Sequence, residues 1–570
     1  MKSYTYDAIV IGTGAAGYQA AIRLKQFGVK VAIVTEGINQ GTSRNTGSDK
    51  QTYYKLGLGG SASDSVHTMA KDLFAGGCVD GDNALCEAAL STRCFLYLCE
   101  LGVAFPTNRY GEYVGYKTDH DPYARATSAG PLTSKYMTEG LQKQAELLQI
   151  DTYDGCYAVK VLKSGDCVCG LLCIRDGQYV LFRCGNIVMA TGGPAGIYAD
   201  SVYPQCHTGS SGLAIDAGAK MQNLAFWQYG LASVEPRWNV SGTYMQVLPR
   251  FVSVDSDGNE HDFLWEHFQD LYEGLSLVFL KGYQWPFDPV KVQNGSSQID
   301  MLVYRECVEK KRRVFLDFTK NPADIDFSKL SPEAYAYLSK AGATFGTPIQ
   351  RLEKMNAPAI RLYKDKGVDL HSQYLEIALC AQHCNGGVAV DLWWQSSVRG
   401  LFAVGECAGT HGIARPGGSA LNAGQVGGLR AAQYIAQNPN PLTEEQTVLQ
   451  LAKENTLCYK VDKQAIKAAQ RHMSDVAAAV RNPEKIRQLL QSTLDALPTV
   501  SDIKLRDILL TQAAVLTAMD APTTERNQVR EVLYKDGAFQ TYVRPVRPIP
   551  EDDSFFENVW RGYRENKNVF

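Results

Sequence analysis

A short apolar run followed by three spaced glycines opens the chain and constrains its fold more than any other feature. Residues 8–11 are all apolar, and Gly12, Gly14 and Gly17 follow them in a Gly-x-Gly-x-x-Gly pattern. The pattern predicts a buried strand, a tight turn at Gly12, close approach of a pyrophosphate at Gly14, and a helix packed against the strand at Gly17. The positive end of that helix faces the phosphates. The sequence therefore predicts a βαβ unit that binds a dinucleotide.

Further segments indicate which dinucleotide is bound. A second apolar run, residues 31–34, leads to Glu36, about twenty residues after the glycines, where an acid suits ribose hydroxyls. The polar loop of residues 41–48 follows, and residues 400–406 add a strand and a glycine turn near the far end of the chain. This arrangement predicts FAD, held by both ends of the chain. The small and polar residues predicted to contact it are Gly12, Gly14, Ala15, Ala16, Gly17, Glu36, Ser43, Asn45, Thr46 and Gly47.

Length, charge and cysteine pattern exclude several classes of protein. A single core rarely grows past about 250 to 300 residues, so a chain of 570 residues is expected to form two or three domains. The net charge of -3 and the absence of a long Lys/Arg block argue against nucleic acid as a partner. No apolar run approaches the roughly 18 residues of a spanning helix, and the first strand begins too near Met1 for a targeting segment, so a soluble, cytoplasmic protein is expected. The 15 cysteines are scattered without a Cys-x-x-Cys pair, so no metal site, iron–sulfur cluster or c-type haem is predicted.

The order of the patterns divides the chain into five predicted segments. Alternating strands with turns between them over residues 155–184 predict a β-meander inserted into the nucleotide fold. Later, Asn482 as a cap and Pro483 as a first helical residue begin a typical amphipathic helix. The segments are the FAD-binding domain in two parts (1–225 and 358–438), a capping or substrate domain (226–357), a helical domain (439–540) and an extended arm (541–570). The arm carries aromatic residues and either binds its own body or a partner chain.

Taken together, these segments resemble the flavoprotein subunits of the fumarate reductase, succinate dehydrogenase and L-aspartate oxidase family. The resemblance rests on the opening glycine motif, Ala190-Thr191-Gly192-Gly193, Gly386-Gly387, residues 400–406 and Arg415-Pro416-Gly417-Gly418-Ser419-Ala420-Leu421. It implies an α/β protein with a two-dinucleotide-type FAD-binding fold, an inserted β-meander, an α+β capping domain and a C-terminal helical domain. It also implies further FAD contacts at Thr191, Gly192, Ser211, Gly405, Glu406, Ser419, Ala420 and Leu421.

The same resemblance implies three catalytic residues. Arg415 matches the arginine that binds a substrate carboxylate through its forked guanidinium. Arg250 matches the arginine that donates a proton, which requires a buried site because the guanidinium pKa is otherwise too high. His383 lies near the histidine position beside Gly386-Gly387, although Gln382 falls at the matching place. From the residues alone, Arg415 can also be a loop-bound arginine, Arg250 a surface charge and His383 a packed core histidine.

Several departures from the family pattern indicate a rebuilt substrate pocket. Gln228-Tyr229-Gly230 lacks the family's cap histidine, and Phe251-Val252-Ser253-Val254 replaces the glycines after the proton-donating arginine. Ser43-Arg44-Asn45 stands where respiratory members attach flavin to a histidine, so FAD is expected to be non-covalent. Fumarate, succinate and aspartate are therefore not the expected substrates.

Three functions remain open at this point. The protein either reduces or forms a carbon–carbon double bond beside a carboxylate in a small organic acid, or oxidises an amine, alcohol or sugar-like substrate, or transfers electrons as a flavoprotein component of a complex. In each case a ferredoxin-like or iron–sulfur protein is the expected electron partner, unless free reduced flavin or oxygen serves instead. The sequence is compatible with an oligomer.

Overall fold

A five-stranded parallel sheet forms the centre of the nucleotide-binding part in the computed structural model. The structure describes residues 1–59, 63–118, 120–284, 286–456 and 461–551. The strands of this sheet are, in spatial order, Leu401–Ala403, Asn186–Met189, Ala8–Ile11, Val31–Val34 and Asp151–Tyr153. All neighbouring pairs run parallel. This one sheet contains strands from distant parts of the chain, such as Ala8–Ile11 and Leu401–Ala403. Segments from both ends of the chain can therefore contribute to one cofactor site.

A second sheet confirms the predicted meander. It consists of Lys2–Thr5, Gln178–Arg183, Cys167–Arg175 and Cys156–Ser164, in spatial order. The turns before Cys167 and Gln178 each contain a glycine with positive φ, Gly165 at 62° and Gly177 at 72°. Because glycine adopts this conformation without strain, the two turns connect the antiparallel strands tightly.

Helices cover the sheets of the nucleotide-binding part. The first of them ends at Gln26, and Gly28, with a φ of 82°, follows its C-cap residue Phe27 and keeps the helix from continuing. These helices are Ala15–Gln26, Thr42–Asn45, Val66–Phe74, Gly81–Glu100, Thr133–Leu147, Gly212–Asp216 and Ser419–Gln437, with a two-stranded ribbon of Tyr53–Tyr54 and Ala126–Thr127.

The cap is built on a six-stranded antiparallel sheet with its own hydrophobic core. Its strands are, in spatial order, Trp238–Asn239, Trp227–Ser233, Leu375–Cys384, Arg313–Asp317, Arg250–Val254 and Glu260–His261. Its helices are Thr243–Gln246, Phe263–His267, Leu271–Lys281, Lys291–Asn294, Ser297–Tyr304, Pro332–Lys340 and Pro348–Asp365.

One strand lies in a different unit from the one the sequence indicated. Leu375–Cys384 was predicted within the second part of the FAD-binding domain, but it pairs with Trp227–Ser233 and Arg313–Asp317 in the cap sheet. Periodicity cannot distinguish these alternatives, because a buried strand has the same pattern in either sheet. The chain therefore returns from the cap to the nucleotide-binding part only after Cys384.

The C-terminal part contains helices and a hairpin. The helices are Glu445–Glu454, Lys463–Val476, Pro483–Ala496 and Ile503–Asp520. Asn482 caps the third of these as predicted, since its side chain accepts from the N–H groups of Glu484 and Lys485. The hairpin strands join two short strands in a sheet whose order is Gly387–Val388, Met221–Gln222, Gln528–Lys535 and Ala538–Pro545.

The hairpin corrects the predicted extended arm at its start. Residues 541–545 belong to a strand, because Asp536 and Gly537 both have positive φ and form a tight turn before it. The end of this strand and the residue Arg547 after it contact the rest of the protein, since Arg544 and Arg547 each form an ion pair with Asp80. Tyr542 lies in this strand, whereas the other aromatic residues of the predicted arm, Phe555, Phe556, Trp560, Tyr563 and Phe570, lie outside the described residues. In the described part of the chain, no helix combines the length and apolar character needed to cross a bilayer.

Candidate functional site

A large cavity of about 1600 Å³ lies where the nucleotide-binding part meets the cap. Both parts contribute to its wall, from the glycine motif at one end to Gln382, His383 and Arg415 at the other. Enzyme sites are commonly concave, with a few polar groups converging in them. The cavity is therefore the candidate site for both a cofactor and a substrate.

The glycine motif has the geometry that a pyrophosphate site needs. Gly12 has a φ of +109°, and a Cβ there would lie 2.5 Å from the carbonyl oxygen of Ala190. A Cβ on Gly17 would lie 2.2 Å from the carbonyl oxygen of Gly12, so only glycine allows the helix to approach the strand. Gly14 precedes the helix Ala15–Gln26 without a side-chain cap of its own; the Ala15 N–H donates to Ser43 Oγ at 3.3 Å, and the other N–H groups of the first turn suit an anion.

Most of the predicted cofactor residues line this cavity. They are Gly12, Gly14, Ala15, Ala16, Glu36, Ser43, Thr46, Gly47, Thr191, Gly192, Gly405, Glu406, Ala420 and Leu421. Four others do not line it. Gly17 allows the helix to pack closely against the strand, and Asn45 donates to the carbonyl oxygens of Asn39 and Gly41. Ser211 is buried immediately before the short helix Gly212–Asp216, and Ser419 is buried at the start of the helix Ser419–Gln437.

Glu36 has a partner that the sequence did not indicate. It follows the strand Val31–Val34 and lines the cavity, but its carboxylate forms an ion pair with Lys504 of a C-terminal helix. No local pattern connects residues so far apart. The carboxylate therefore has one bond to protein at the position where a ribose is expected.

Polar atoms left without protein partners indicate that the wall fits a polar cofactor. Among the described residues, the side-chain oxygens of Asn239 and Gln425 are buried without a hydrogen bond, and both residues line the cavity. Buried polar atoms are nearly always satisfied in a folded protein. Together with the glycine geometry, they match the hydroxyl and phosphate groups of FAD.

Arg415 is a partly buried cation at the other end of the cavity. Its Nη2 donates to Gln228 Oε1 at 3.0 Å, while its Nε has no partner in the described part of the chain. Burial lowers the pKa of the guanidinium to about 10, and Glu406, Tyr203 and Glu87 oppose that shift. Arg415 therefore faces the cavity as a desolvated positive charge fixed by a neutral amide.

A β-bulge brings two consecutive residues to the same cavity. In the pairing of Trp227–Ser233 with Leu375–Cys384, Gln228 lies opposite His383 and Tyr229 opposite Ala381, so Gln382 is the extra residue. Consecutive strand residues normally face opposite sides, and a bulge redirects them. Gln382 and His383 both line the cavity, and neither side-chain polar atom of Gln382 has a hydrogen bond among the described residues.

His383 belongs to a buried chain of hydrogen bonds. Its Nδ1 lies 3.0 Å from Glu406 Oε1, and its Nε2 lies 3.1 Å from His411 Nδ1. Glu406 also accepts from the Tyr203 hydroxyl and from the Cys384 N–H. Burial favours the neutral carboxyl, but these donors together hold the pKa of Glu406 below its usual value. Burial lowers the pKa of His383 and of His411, so both rings are neutral near pH 7.

Arg250 does not reach the cavity, and this corrects its predicted role. Its side chain forms ion pairs with Asp262 at 2.6 Å and with Glu260 at 3.1 Å, and Asp317 lies 3.6 Å away. The hydrogen bonds that Arg250 donates to Asp262, above all, hold the pKa of Arg250 above its ordinary value. A guanidinium stabilised in this way does not release a proton. Arg250 therefore stabilises the cap instead of donating to a substrate.

Comparisons with known proteins agree with the geometry. The family described as FAD binding domain matches residues 7–421. A fumarate reductase (CoM/CoB) subunit from Methanothermobacter marburgensis is 26% identical over 76% of this chain and 73% of its own. L-aspartate oxidase of Bacillus subtilis is 24% identical over 75% of this chain and 72% of its own.

Solved structures share the fold. Sdh1 of Mycobacterium smegmatis, in complex with UQ1, superposes with a TM-score of 0.72 at 18% identity over 100% of this chain and 98% of its own. A mutant FrdA of E. coli quinol fumarate reductase gives a TM-score of 0.68 at 17% identity over 96% and 98%. With the glycine geometry and the matched residues together, the chain belongs to the FAD binding domain family and is an FAD-binding oxidoreductase of the type that includes fumarate reductases and L-aspartate oxidases.

Proposed function

We propose that the protein reduces, or forms, a carbon–carbon double bond beside a carboxylate in a small organic acid. The observation that carries the proposal is Arg415 in the wall of the cavity. It is partly buried, it is oriented by Gln228, and no carboxylate among the described residues forms an ion pair with it. An uncompensated buried charge is costly, and an anionic ligand that accepts bonds from both sides of the guanidinium removes that cost.

The other residues at this end of the cavity suit a substrate with one carboxylate. Bound FAD supplies or accepts a hydride at its N5 atom. Arg415 binds the carboxylate and withdraws charge from the conjugated system. Gln382 offers one acceptor and two donors to a neutral part of the substrate. The neutral His383 ring is held by Glu406 and His411, so it shapes the wall without adding a second positive charge.

FAD is held without a covalent bond in this proposal. His207 is the histidine that approaches the loop of Ser43, and both its ring nitrogens have protein partners, Thr42 Oγ1 at 3.2 Å and the Gly193 carbonyl oxygen at 3.0 Å. Acid precipitation of the holoprotein should release all of the flavin into the supernatant. Flavin that stays with the precipitate would contradict this part of the proposal.

A separate iron–sulfur protein is the proposed electron partner, and the cytoplasm the proposed location. The Methanothermobacter relative is by name one component of a fumarate reductase, and so one chain of a larger enzyme. Isolation of the native complex, followed by mass spectrometry and iron analysis, tests this step.

The experiment for the reaction follows the flavin. Chemically reduced holoprotein is mixed anaerobically with a panel of α,β-unsaturated monocarboxylates and dicarboxylates, and return of the oxidised flavin absorbance is recorded. We expect selected monocarboxylates to reoxidise the flavin much faster than a buffer control does. Bleaching of oxidised flavin by an amine, alcohol or sugar instead would support the oxidase alternative. Inertness toward both panels would leave the electron-transfer alternative.

A further inference from the structure

The helix Ile503–Asp520 of the C-terminal part contacts the cofactor end of the large cavity at two places. Its Lys504 forms an ion pair with Glu36, which lines the cavity. One turn further, Asp507 packs so closely against Gly212 that a Cβ there would lie 2.4 Å from Asp507 Oδ1. The residues that shortly precede Gly212 also line the cavity. A helix from the far end of the chain therefore supports the wall on both sides of the expected ribose position.

Lys504 lies in the first turn of this helix, where a positive charge is unfavourable. The N-terminal end of a helix carries a partial positive charge and favours acids. Asp502 already caps this end, because its side chain accepts from the Leu505 N–H. The stability of its own helix therefore does not explain the position of Lys504, and the ion pair with Glu36 does.

The ammonium group of Lys504 has two neighbours that belong to the wall of the cavity. It pairs with Glu36, and it lies 4.8 Å from the centre of the Tyr157 ring. Tyr157 packs against Ile503, the residue before the lysine. The side chain of Lys504 is 16% exposed and that of Glu36 35%. The lysine is thus held in place by its surroundings, while Glu36 keeps accessible surface for a ligand.

The ion pair changes what Glu36 can offer to FAD. A carboxylate has about four acceptor sites on its two oxygens, so one bond from Lys504 leaves sites for the two hydroxyl groups of a ribose. The diphosphate of FAD is negatively charged, and an unpaired carboxylate nearby would repel it. A lysine that neutralises Glu36 removes this repulsion and restricts the orientation of the carboxylate.

We propose that Lys504 belongs to the FAD site as a positioning residue. It orients and neutralises Glu36, and Glu36 accepts hydrogen bonds from the hydroxyl groups of the adenosine ribose. The affinity for FAD then depends on a residue 468 positions later in the chain than the carboxylate. The inference is independent of the reaction that the flavin performs.

The helix has further attachments to the nucleotide-binding part that do not involve Lys504. Arg506 forms an ion pair with Asp216 at 3.3 Å. Gln512 Nε2 donates to the carbonyl oxygen of Ile197 at 3.0 Å. Substitution of Lys504 should therefore leave the helix in place and remove its contact with Glu36.

Titration of the full-length apoprotein with FAD, followed by flavin fluorescence, tests the proposal. The Kd should rise at least tenfold in Lys504→Met and less than threefold in Lys504→Arg, which keeps the charge. Lys485→Met is the matched control, because Lys485 is an exposed lysine in the first turn of the helix Pro483–Ala496. The control should bind FAD as the wild type does. A wild-type Kd in Lys504→Met would overturn the proposal.

A double-mutant cycle shows whether Lys504 acts through Glu36. Glu36→Gln should weaken FAD binding, and adding Lys504→Met to it should raise the Kd by less than threefold further. FMN lacks the adenosine half of FAD, so any binding of FMN should be the same in the wild type and in Lys504→Met. Equal losses for FAD and FMN, or additive losses in the cycle, would mean that the lysine acts on the fold as a whole.

Hydrogen exchange of the wild-type protein decides the question even if Lys504→Met does not fold. Backbone amides of a helix that contributes to a binding site should open less often once the ligand is bound. FAD should therefore slow exchange near the start of the helix Ile503–Asp520 more than in the helix Pro483–Ala496. Equal exchange with and without FAD would contradict the role of Lys504. None of these measurements requires a substrate, so their outcome is separate from that of the proposed reaction.

Discussion

Two arginines that were both expected to act on a substrate lie in opposite electrostatic environments. Arg250, in the cap sheet, is surrounded by Asp262, Glu260 and Asp317, and these carboxylates raise its pKa. Arg415, at the cavity, has a neutral amide as its hydrogen-bond partner, and burial lowers its pKa. Carboxylates of the protein neutralise the positive charge of Arg250. The charge of Arg415 has no such partner among the described residues and is available to an anionic ligand.

The difference shows that residue type alone does not determine a catalytic role. A charge paired within the protein contributes to stability and is unavailable for chemistry. A charged group that is removed from water without a full set of protein partners contributes little to stability. Such groups are concentrated in active sites. If this distinction holds, substitution of Arg415 should mainly reduce turnover, and substitution of Arg250 should mainly reduce stability.

Substitution of Arg415 should have the largest effect. Arg415→Gln removes the charge that binds the carboxylate, so turnover in the reoxidation assay should fall about 100- to 1,000-fold. FAD content, measured by absorbance, should remain at the wild-type level. Arg361→Gln, an exposed arginine on a cap helix, is the control and should leave the rate unchanged. A fully active Arg415→Gln protein would remove the basis of the comparison.

Substitution of Arg250 should have the reverse pattern. Arg250→Gln leaves the buried Asp317 and two half-exposed carboxylates without their cation, so the free energy of unfolding should fall by about 1 to 3 kcal/mol. Denaturant unfolding measures this change. Turnover should stay within about twofold of the wild type, since the side chain does not line the cavity. A large loss of turnover in a stable protein would return Arg250 to the reaction.

The amide that orients Arg415 should have an intermediate effect. Gln228→Leu removes the acceptor of the Nη2 bond, and a loss of about 1.4 kcal/mol in orientation corresponds to a tenfold lower rate. Stopped-flow reoxidation measures the rate at saturating substrate. Gln491→Leu, on an exposed helical face, is the matched control. An unchanged rate would mean that Arg415 is held by other contacts.

The smallest effects concern histidines in the same two regions. Burial lowers the pKa of His411 below its unfolded value near 6.5, so its stabilising contribution is present above that pH and is lost as the pH falls. As the pH falls, the free energy of unfolding should therefore decrease less steeply in His411→Gln than in the wild type. The two slopes should differ by at most about 1.4 kcal/mol per pH unit.

His371 in the cap provides the control of opposite sign. Hydrogen bonds to Glu353 and Asp369 raise its pKa, so its contribution is present at low pH and is lost as the pH rises through the folded value. His371→Gln should therefore be slightly less stable than the wild type at acidic pH only. Thermal unfolding at several pH values between about 5 and 8 measures both variants. Parallel curves for the two variants would contradict the assigned signs.

Local patterns were sufficient for the cofactor end of the site. The positions of Gly12, Gly14 and Gly17 follow from their spacing, because a tight turn and a helix start involve neighbouring residues only. The site around Arg415 was only partly predictable. The resemblance of its glycine-rich loop to that of a known family identified the arginine. The positions of Gln228, Glu87 and the bulge at Gln382 come instead from strand pairing and helix packing between distant segments.

The sequence by itself determined the opening βαβ unit and its glycine geometry, because these depend on short-range patterns that admit few conformations. The resemblance of the sequence to a known family indicated the rest of the FAD-binding fold and Arg415. Only the tertiary structure decided which charges are paired within the protein and which remain available. The strand pairing that places Asp317 opposite Arg250, and the packing that places Glu87 behind Arg415, join residues far apart in the chain. The pKa of each arginine depends on its distance from neighbouring charges and on its burial. Neither quantity can be read from the order of residues alone.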